Sequence, residues 1–431
     1  MMIRYGGLIS ILLAALAIVS GLWLATCSRP AAVLRSGGVE PAAGERAHTP
    51  EKPVAEQPRS APRPVSQADP TANWSTHPMR VESNRLTAIG RTAEETFPGD
   101  YLSVPLDELY DMRPAKGLVT PLRPEDITAI PAAQVTDLPD DTLVLGVRVH
   151  DSVRAYPRNL AAYHVAINDI FSQTPVLVCF DAVSGACMAY RRPGAAGSAP
   201  IFAASGAGFR ATGLLYDLGT ESLWSILGGG WVSAHPGRAA GEQYLTGRPI
   251  AGPMVNSYPV LEPLPGSLMT WAAWRARHPR TTIAQVQTDT GNDYTIDPYT
   301  SVVDRDGQVV DYYTAPDLVL APEGSGGDAG SLADKAWVLG IALPRGAVAV
   351  AEQQAFEAAG DSATTFELNA TGGALHLHVD PAAHSITAVA GGGVVPPQVR
   401  LFWVAWRSQF PDTRVWSVEA GAGHAPAGPS E

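Results

Sequence analysis

One stretch, residues 155–190, gathers the side chains best suited to chemistry: His164, Cys179, Asp181, Ser184 and Cys187, with Asn168 and Asp169 between them. Histidine can act as acid, base or metal ligand near neutral pH. If residues 159–170 form a helix capped by Asn159, Asn168 sits beside His164 at i+4, whereas Asp169 at i+5 leaves that face and a direct His–Asp couple is not expected. Cys179 and Cys187 lie symmetrically about Val183, so a simple hairpin register places them opposite one another, within disulfide range. A structural disulfide is the leading expectation, with a reactive dithiol or a thiolate–metal site with His164 as alternatives. His164, Asp181 and Ser184, brought together by the hairpin, are the expected pocket and the candidate catalytic residues. Alternatively, His164 is a buried histidine satisfied by the backbone.

Weaker signals lie elsewhere. Asp217 and Glu221 are candidate paired carboxylates, although their spacing alone says nothing about distance. His376 and His378 share one face of a predicted strand, with His384 beyond a turn, a spacing that can hold a metal. Ser205-Gly206-Ala207-Gly208 has the spacing of neither a dinucleotide loop nor a nucleophile elbow, and is expected to be a turn. These residues do not set the identity of any metal or cofactor.

The elements that must position these groups are short. The pattern predicts strands over 143–149 and 153–156, a hairpin of 175–180 with 186–191, and further strands near 202, 214–216 and 223–226. Ser267 is expected to cap a helix over 268–277 that Pro279 stops, followed by a strand at 282–286. The grammar then repeats: Val144-Leu145-Gly146-Val147 returns as Val338-Leu339-Gly340-Ile341. Trp271-Ala272-Ala273-Trp274-Arg275 with Pro279 and Thr281 returns as Trp403-Val404-Ala405-Trp406-Arg407 with Pro411 and Thr413. Tryptophans at i and i+3 share a helix face and are expected to plug each half's core. The alignment places Ala358, Ser362 and Ala363 opposite His164, Asn168 and Asp169, and no counterpart of the cysteine hairpin is evident in the second copy.

The chain is expected to be β-rich α+β, two unequal duplicated units of short strands, each closed by a Trp-x-x-Trp helix. Its 431 residues exceed one ordinary domain, and 42 Gly with 37 Pro favour turns and short strands over a helical bundle. A net charge of −12 and the lack of any Lys/Arg run argue against a nucleic-acid surface. Arg4 precedes an uncharged run, residues 5–26, long enough to span a bilayer. Leu24-Ala25-Thr26-Cys27 resembles a bacterial lipobox, with Thr26 where Gly, Ala or Ser is usual, making Cys27 a candidate lipidation site. Either an uncleaved anchor or a lipid places the body outside the bacterial cytoplasm, tethered to the membrane. Residues 28–73 hold eight prolines and no Phe, Trp or Tyr, a composition that stays extended and cannot bury a core. The expected organisation is signal or anchor 1–27, linker 28–95, first unit 96–290, connector 291–336, second unit 337–417 and tail 418–431.

With these segments assembled, the chain resembles the bacterial family called domain of unknown function 3179 (DUF3179) over about residues 114–416. The resemblance rests on Val144-Leu145-Gly146, Arg154-Ala155-Tyr156-Pro157, His164 with Asn168-Asp169, Ser205-Gly206, and Asp217 with Thr220-Glu221-Ser222-Leu223-Trp224. Asp297-Pro298-Tyr299 and the two Trp helices complete it. Arg154, Tyr156, Asn168, Asp169, Asp217 and Glu221 are accordingly the expected binding residues. The family typically carries a C-P-L-C-like hairpin loop, where this chain has Asp181 and Ser184, so a redox or thiolate–metal role does not carry over at those positions. Two classes of function remain: an extracytoplasmic module that binds a small molecule or protein, and an oxidoreductase-like or metal-dependent enzyme built around His164 and the hairpin.

Overall fold

A computed structural model describes residues 76–416, apart from 113, 229–244, 258, 288–289, 305, 316–331, 345 and 371–372. The expected anchor, Cys27 and the tail lie outside the described residues. Among the described residues no helix is long and apolar enough to cross a membrane. The fold is β-rich, with several sheets and four short α-helices among the described residues.

Two units carry the architecture, each a sheet with a meander that forms a separate sheet of its own. In the first, β1 (Leu143–Val149) and β2 (Ser152–Pro157) form a hairpin around His150, whose φ of 52° supplies the tight turn. Helix α1 (Arg158–His164) follows, then an antiparallel meander of β3 (Ala166–Phe171), β4 (Thr174–Phe180) and β5 (Cys187–Arg191). An insertion contributes β6 (Phe202–Phe209), β7 (Thr212–Asp217), β8 (Leu223–Ser225) and β9 (Arg248–Ala251) to a separate sheet. The chain then returns as β10 (Gly266–Thr270), α2 (Trp271–Arg277) and β11 (Thr282–Val286). The sheet order is β10, β1, β2, β11, then the strand Ile127–Pro131.

The second unit has the same connection order. Strands β12 (Trp337–Leu343) and β13 (Gly346–Ala351) lead to α3 (Glu352–Ala359) and a meander of β14 (Thr364–Ala370), β15 (Gly373–Asp380) and β16 (Ser385–Ala390). Strand β17 (Gln398–Phe402), α4 (Trp403–Gln409) and β18 (Arg414–Trp416) close it in the order β17, β12, β13, β18. Corresponding residues pair alike: Gly146 with Ala155 and Gly340 with Ala349, and in parallel Arg154 with Thr282 and Val348 with Arg414. Helices α2 and α4 start in the same way, with Trp271 N bonding Thr142 O and Trp403 N bonding Ala336 O, each at 2.8 Å. Arg275 reaches Asp140 and Arg407 reaches Asp334, each at 2.6 Å.

The units are joined by matching main-chain bonds, Phe402 N to Ser184 O at 2.7 Å and Thr270 N to Ala383 O at 2.9 Å. The largest apolar core runs through both, drawing Val147, Tyr156 and Leu177 from one side and Val338, Phe402 and Trp406 from the other.

Several expectations change. The helix after Pro157 stops at His164, because Val165 takes φ 60° and turns the chain into β3; Asn168 and Asp169 are therefore strand residues. Leu268 belongs to a strand, and Thr270 rather than Ser267 caps α2, accepting a bond from Ala273 N. Residues 205–208 form a bulge inside β6, not a turn, with Gly206 at φ 74°. The cysteine hairpin has a positional counterpart in β15–β16. Residues 77–95, expected to be linker, include the strands Arg80–Glu82 and Arg85–Thr87 and bury Leu86 in an apolar cluster.

Each sheet depends on one bare glycine. A Cβ on Gly146 would stand 2.2 Å from the Trp274 ring, and one on Gly340 would stand 2.2 Å from Trp406. The overpacking cost of such a contact is about 1–3 kcal/mol. Gly146→Ala and Gly340→Ala are therefore each expected to lower the unfolding free energy in a urea titration by that much, whereas Gly197→Ala, with nothing within 4 Å of its Cβ position, leaves it unchanged.

Candidate functional site

His164 closes α1 with both ring nitrogens engaged: Nδ1 lies 2.8 Å from Thr120 O and Nε2 lies 2.6 Å from the Tyr294 hydroxyl. A carbonyl can only accept, so Nδ1 carries the proton and Tyr294 donates to Nε2. The Tyr294 oxygen is then free to accept from Thr290 Oγ1 at 2.6 Å. Burial holds the His164 pKa below its ordinary value. The geometry matches the alternative of a satisfied, neutral histidine, locking the start of the connector against α1.

Asp169 sits on β3 facing β2. It accepts from Arg154 Nη1 at 2.5 Å, the Tyr156 hydroxyl at 2.7 Å and Ile170 N at 2.7 Å. Arg154 lies over Phe171, its guanidinium 4.5 Å from the ring centre. Asn168, fully buried, bonds Leu122 O and Phe202 O with its amide nitrogen, at 3.1 and 2.9 Å, and receives Phe202 N at 2.8 Å. Behind both, Arg192 is buried and gives its hydrogens to three carbonyls: Asp169 at 2.8 Å, Pro200 at 3.0 Å and Val176 at 3.2 Å. With no carboxylate bonded to it, burial pulls its pKa down to about 10. Arg154, Tyr156, Asn168 and Asp169 thus do come together in space, as struts between β2, β3 and β6.

Asp181 and Ser184 shape the hairpin loop. The Ser184 hydroxyl donates to Asp181 Oδ2, while Asp181 Oδ1 accepts Val183 N and Gly213 N, each at 3.0 Å. The carboxyl is buried, and burial raises its pKa. Among the described residues no hydrogen bond joins this pair to His164, so the expected three-residue pocket is not formed by direct contacts. The disulfide expectation is corrected too. Cys179 pairs with Met188 and Cys187 with Phe180, a register one residue off the symmetric one, so the two thiols lie on opposite faces of the sheet. Both are free and buried; burial pushes Cys179 well up and Cys187 to about 12, far from thiolate chemistry at neutral pH.

Asp217 and Glu221 do not work as a carboxylate pair. Asp217 caps its own turn through Thr220 N at 2.6 Å and takes the Trp224 indole at 3.0 Å. Glu221 turns instead to Lys116 at 2.6 Å and Arg85 at 3.3 Å. His376 and His378 are exposed on β15, and His378 Nδ1 bonds Thr365 Oγ1 at 2.8 Å. Among the described residues no group of three or more His, Cys, Asp or Glu is placed to hold a metal ion.

Connector residues were not picked out individually from the sequence. Asp297 binds Arg158 at 2.8 Å and accepts from the Tyr313 hydroxyl at 3.0 Å, while the Arg158 guanidinium lies 4.7 Å from the Tyr313 ring centre. Lys335 Nζ sits 3.7 Å above the centre of Tyr312, and burial lowers its pKa to about 8. Asp297-Pro298-Tyr299 was the one available signal, as part of the resemblance.

Where the two sheets meet there is a cleft of about 110 Å³. Its walls include Leu145 and Leu339, which occupy corresponding positions, with Leu268, Ile386, Met188 and Val399. Cys187, Ser267, Thr387, Gln398 and Arg400 complete the polar part. The architecture built on these sheets goes with a recognised family: the model described as protein of unknown function (DUF3179) matches residues 125–391, and the chain belongs to that family. No curated protein and no solved structure matches the chain.

Two outcomes test the buried networks. Removing one partner of a buried ion pair strands the other, at a cost of about 3–5 kcal/mol, so Asp169→Ala should lower the unfolding free energy by that amount in a denaturant titration, and the double change Arg154→Met with Asp169→Leu should recover part of it. For His164 the unfolded chain takes up a proton near pH 6.5, whereas the folded chain takes it up only at lower pH. Its contribution is therefore lost as pH falls below about 6.5, and His164→Gln should shrink the drop in urea midpoint measured between pH 7.5 and 5.5.

Proposed function

We propose that this protein is a membrane-tethered, extracytoplasmic binding or accessory module, and that its ligand or partner is held in the cleft between the two sheets. The observation that carries this reading is the cleft itself, an apolar concavity where both sheets contribute equivalent residues. The polar side chains of the His164, Asp169 and Asp181 networks are engaged with one another or the backbone, which suits a rigid scaffold more than a reacting centre. We further infer that the two sheet units arose by internal duplication; the matched strand order and register, the paired glycine–tryptophan contacts and the equivalent helix starts support this. The uncharged run 5–26 and Cys27 support the tether.

Native mass spectrometry of the full-length protein released from bacterial membranes tests the reading. A copurifying molecule should be present in the wild type and in Leu218→Trp, an exposed site off the cleft wall, and lost in Leu268→Trp and Val395→Trp, which fill the cleft from different elements. Retention in both filled variants would remove the cleft as the site. In the same preparations the wild-type N-terminal peptide should begin at a lipid-modified Cys27 if Cys27 is lipidated, and should retain residues 5–26 if they are an uncleaved anchor; a soluble wild type would refute the tether.

A further inference from the structure

The walls of the cleft say what kind of molecule it takes. Arg400, the charged residue on the wall, is already neutralised: Nε and Nη2 grip Glu352 at 2.6 and 2.5 Å, and Nη1 donates to His384 O at 2.9 Å. Gln398 spends its amide on the edge of β16, accepting from Ala388 N at 2.7 Å and donating to Ala388 O at 2.9 Å. A carboxylate or ammonium entering here would find no counter-ion, and burying an unpaired charge is costly. Two hydroxyls on the wall, those of Ser267 on β10 and Thr387 on β16, have no hydrogen-bond partner among the described residues. These two strands pack against each other, next to the Thr270–Ala383 bond that joins the sheets. The remaining wall is aliphatic, and it continues outward over Val395, which is 42% exposed at its residue surface.

From this we propose, resting on the cleft as the binding site, that the ligand is an uncharged aliphatic molecule, or the end of one, bearing a single hydroxyl or carbonyl group. The hydrocarbon part packs on Leu145, Leu268, Leu339, Ile386 and Val399, and the polar group exchanges hydrogen bonds with Ser267 and Thr387. A dry apolar cavity of about 150 Å³ accepts benzene, so a cleft of about 110 Å³ holds a portion of about four to six non-hydrogen atoms.

Backbone amides of residues 264–268 lie on the same wall and report occupancy through hydrogen exchange, while residues 80–95, off the wall, serve as the internal control. The test uses the full-length protein in phosphatidylcholine nanodiscs, with amide hydrogen–deuterium exchange read by peptide mass spectrometry. The probes are 3-methylbutan-1-ol, 3-methylbutanoate, 3-methylbutylammonium and 2-methylbutane. The alcohol should slow exchange over residues 264–268 at least fivefold, with residues 80–95 unaffected, and both ions should change it less than twofold. In Ser267→Ala/Thr387→Val, protection by the alcohol should fall at least threefold, while protection by 2-methylbutane persists. Equal protection by either ion would overturn the neutral-ligand inference and leave the cleft as a binding site. If no probe protects the wild type, or if protection survives in both Leu268→Trp and Val395→Trp, the cleft reading fails and this inference fails with it.

Discussion

The structure depends on two main-chain hydrogen bonds at corresponding places, Phe402 N to Ser184 O and Thr270 N to Ala383 O. In each, the residue just before a tryptophan helix donates to the hairpin loop of the other sheet's meander. Each unit of tryptophan-helix sheet and meander thus supplies the donor of one bond and the acceptor of the other, and the two units are sewn together by paired backbone. The cleft exists because strands β10 and β17 pass alongside β16 and β5 without closing the space between them. Its walls are fixed by the same residues that fix the fold, so a ligand there would meet a preformed surface and spend little on ordering it.

Charge is handled in a consistent way around this framework. Asp169, Asn168, Asp181 and Arg192 are all buried, and each is bonded to backbone atoms as well as, or instead of, other side chains. Such bonds fix relative positions: Asn168 ties β3 to β6, Asp181 ties the hairpin loop to β7, and Arg192 ties three carbonyls together. The insertion's strands belong to a separate six-stranded sheet, and these polar struts dock it onto the rest of the scaffold. Buried groups of this kind contribute to a single arrangement more than to net stability, because the desolvation they suffer offsets much of what their bonds return.

The second unit shows what is dispensable. It keeps the hairpin, helix, meander and tryptophan helix, yet passes from β16 to β17 with only residues 391–397 between them, where the first unit carries its whole insertion. Helix α4 is buried along its full length, and Ser408 and Gln409 bond the tip of the β6–β7 hairpin. Helix α2 buries only Trp271 and Trp274. The asymmetry between the units therefore follows from one insertion, folded over the partner unit's helix.

Much of the scaffold was legible in the residues. The Leu-Gly strands, the repeated Trp-x-x-Trp segments and the β4–β5 hairpin all follow from hydrophobic periodicity and spacing, which depend on local geometry. The site was less so. The β3–β4 and β6–β7 turns use Ser172-Gln173 and Arg210-Ala211, all four at positive φ, where no glycine or asparagine advertises the turn. Val165 ends α1 at a conformation its branched side chain disfavours, so the helix seemed to continue through Asn168 and Asp169. The cysteines were misplaced by a single residue of register, and a one-residue slip moves a side chain to the other face of a sheet. The sequence by itself determined the family, the β-rich class and which segments pair locally, because those depend on neighbours in the chain. Only the tertiary structure decided that His164 is sealed by Tyr294 and that a neutral cleft opens between the sheets, because those depend on contacts between residues more than a hundred positions apart, and that Asp181 serves the loop and β7, which depends on a strand 32 positions away.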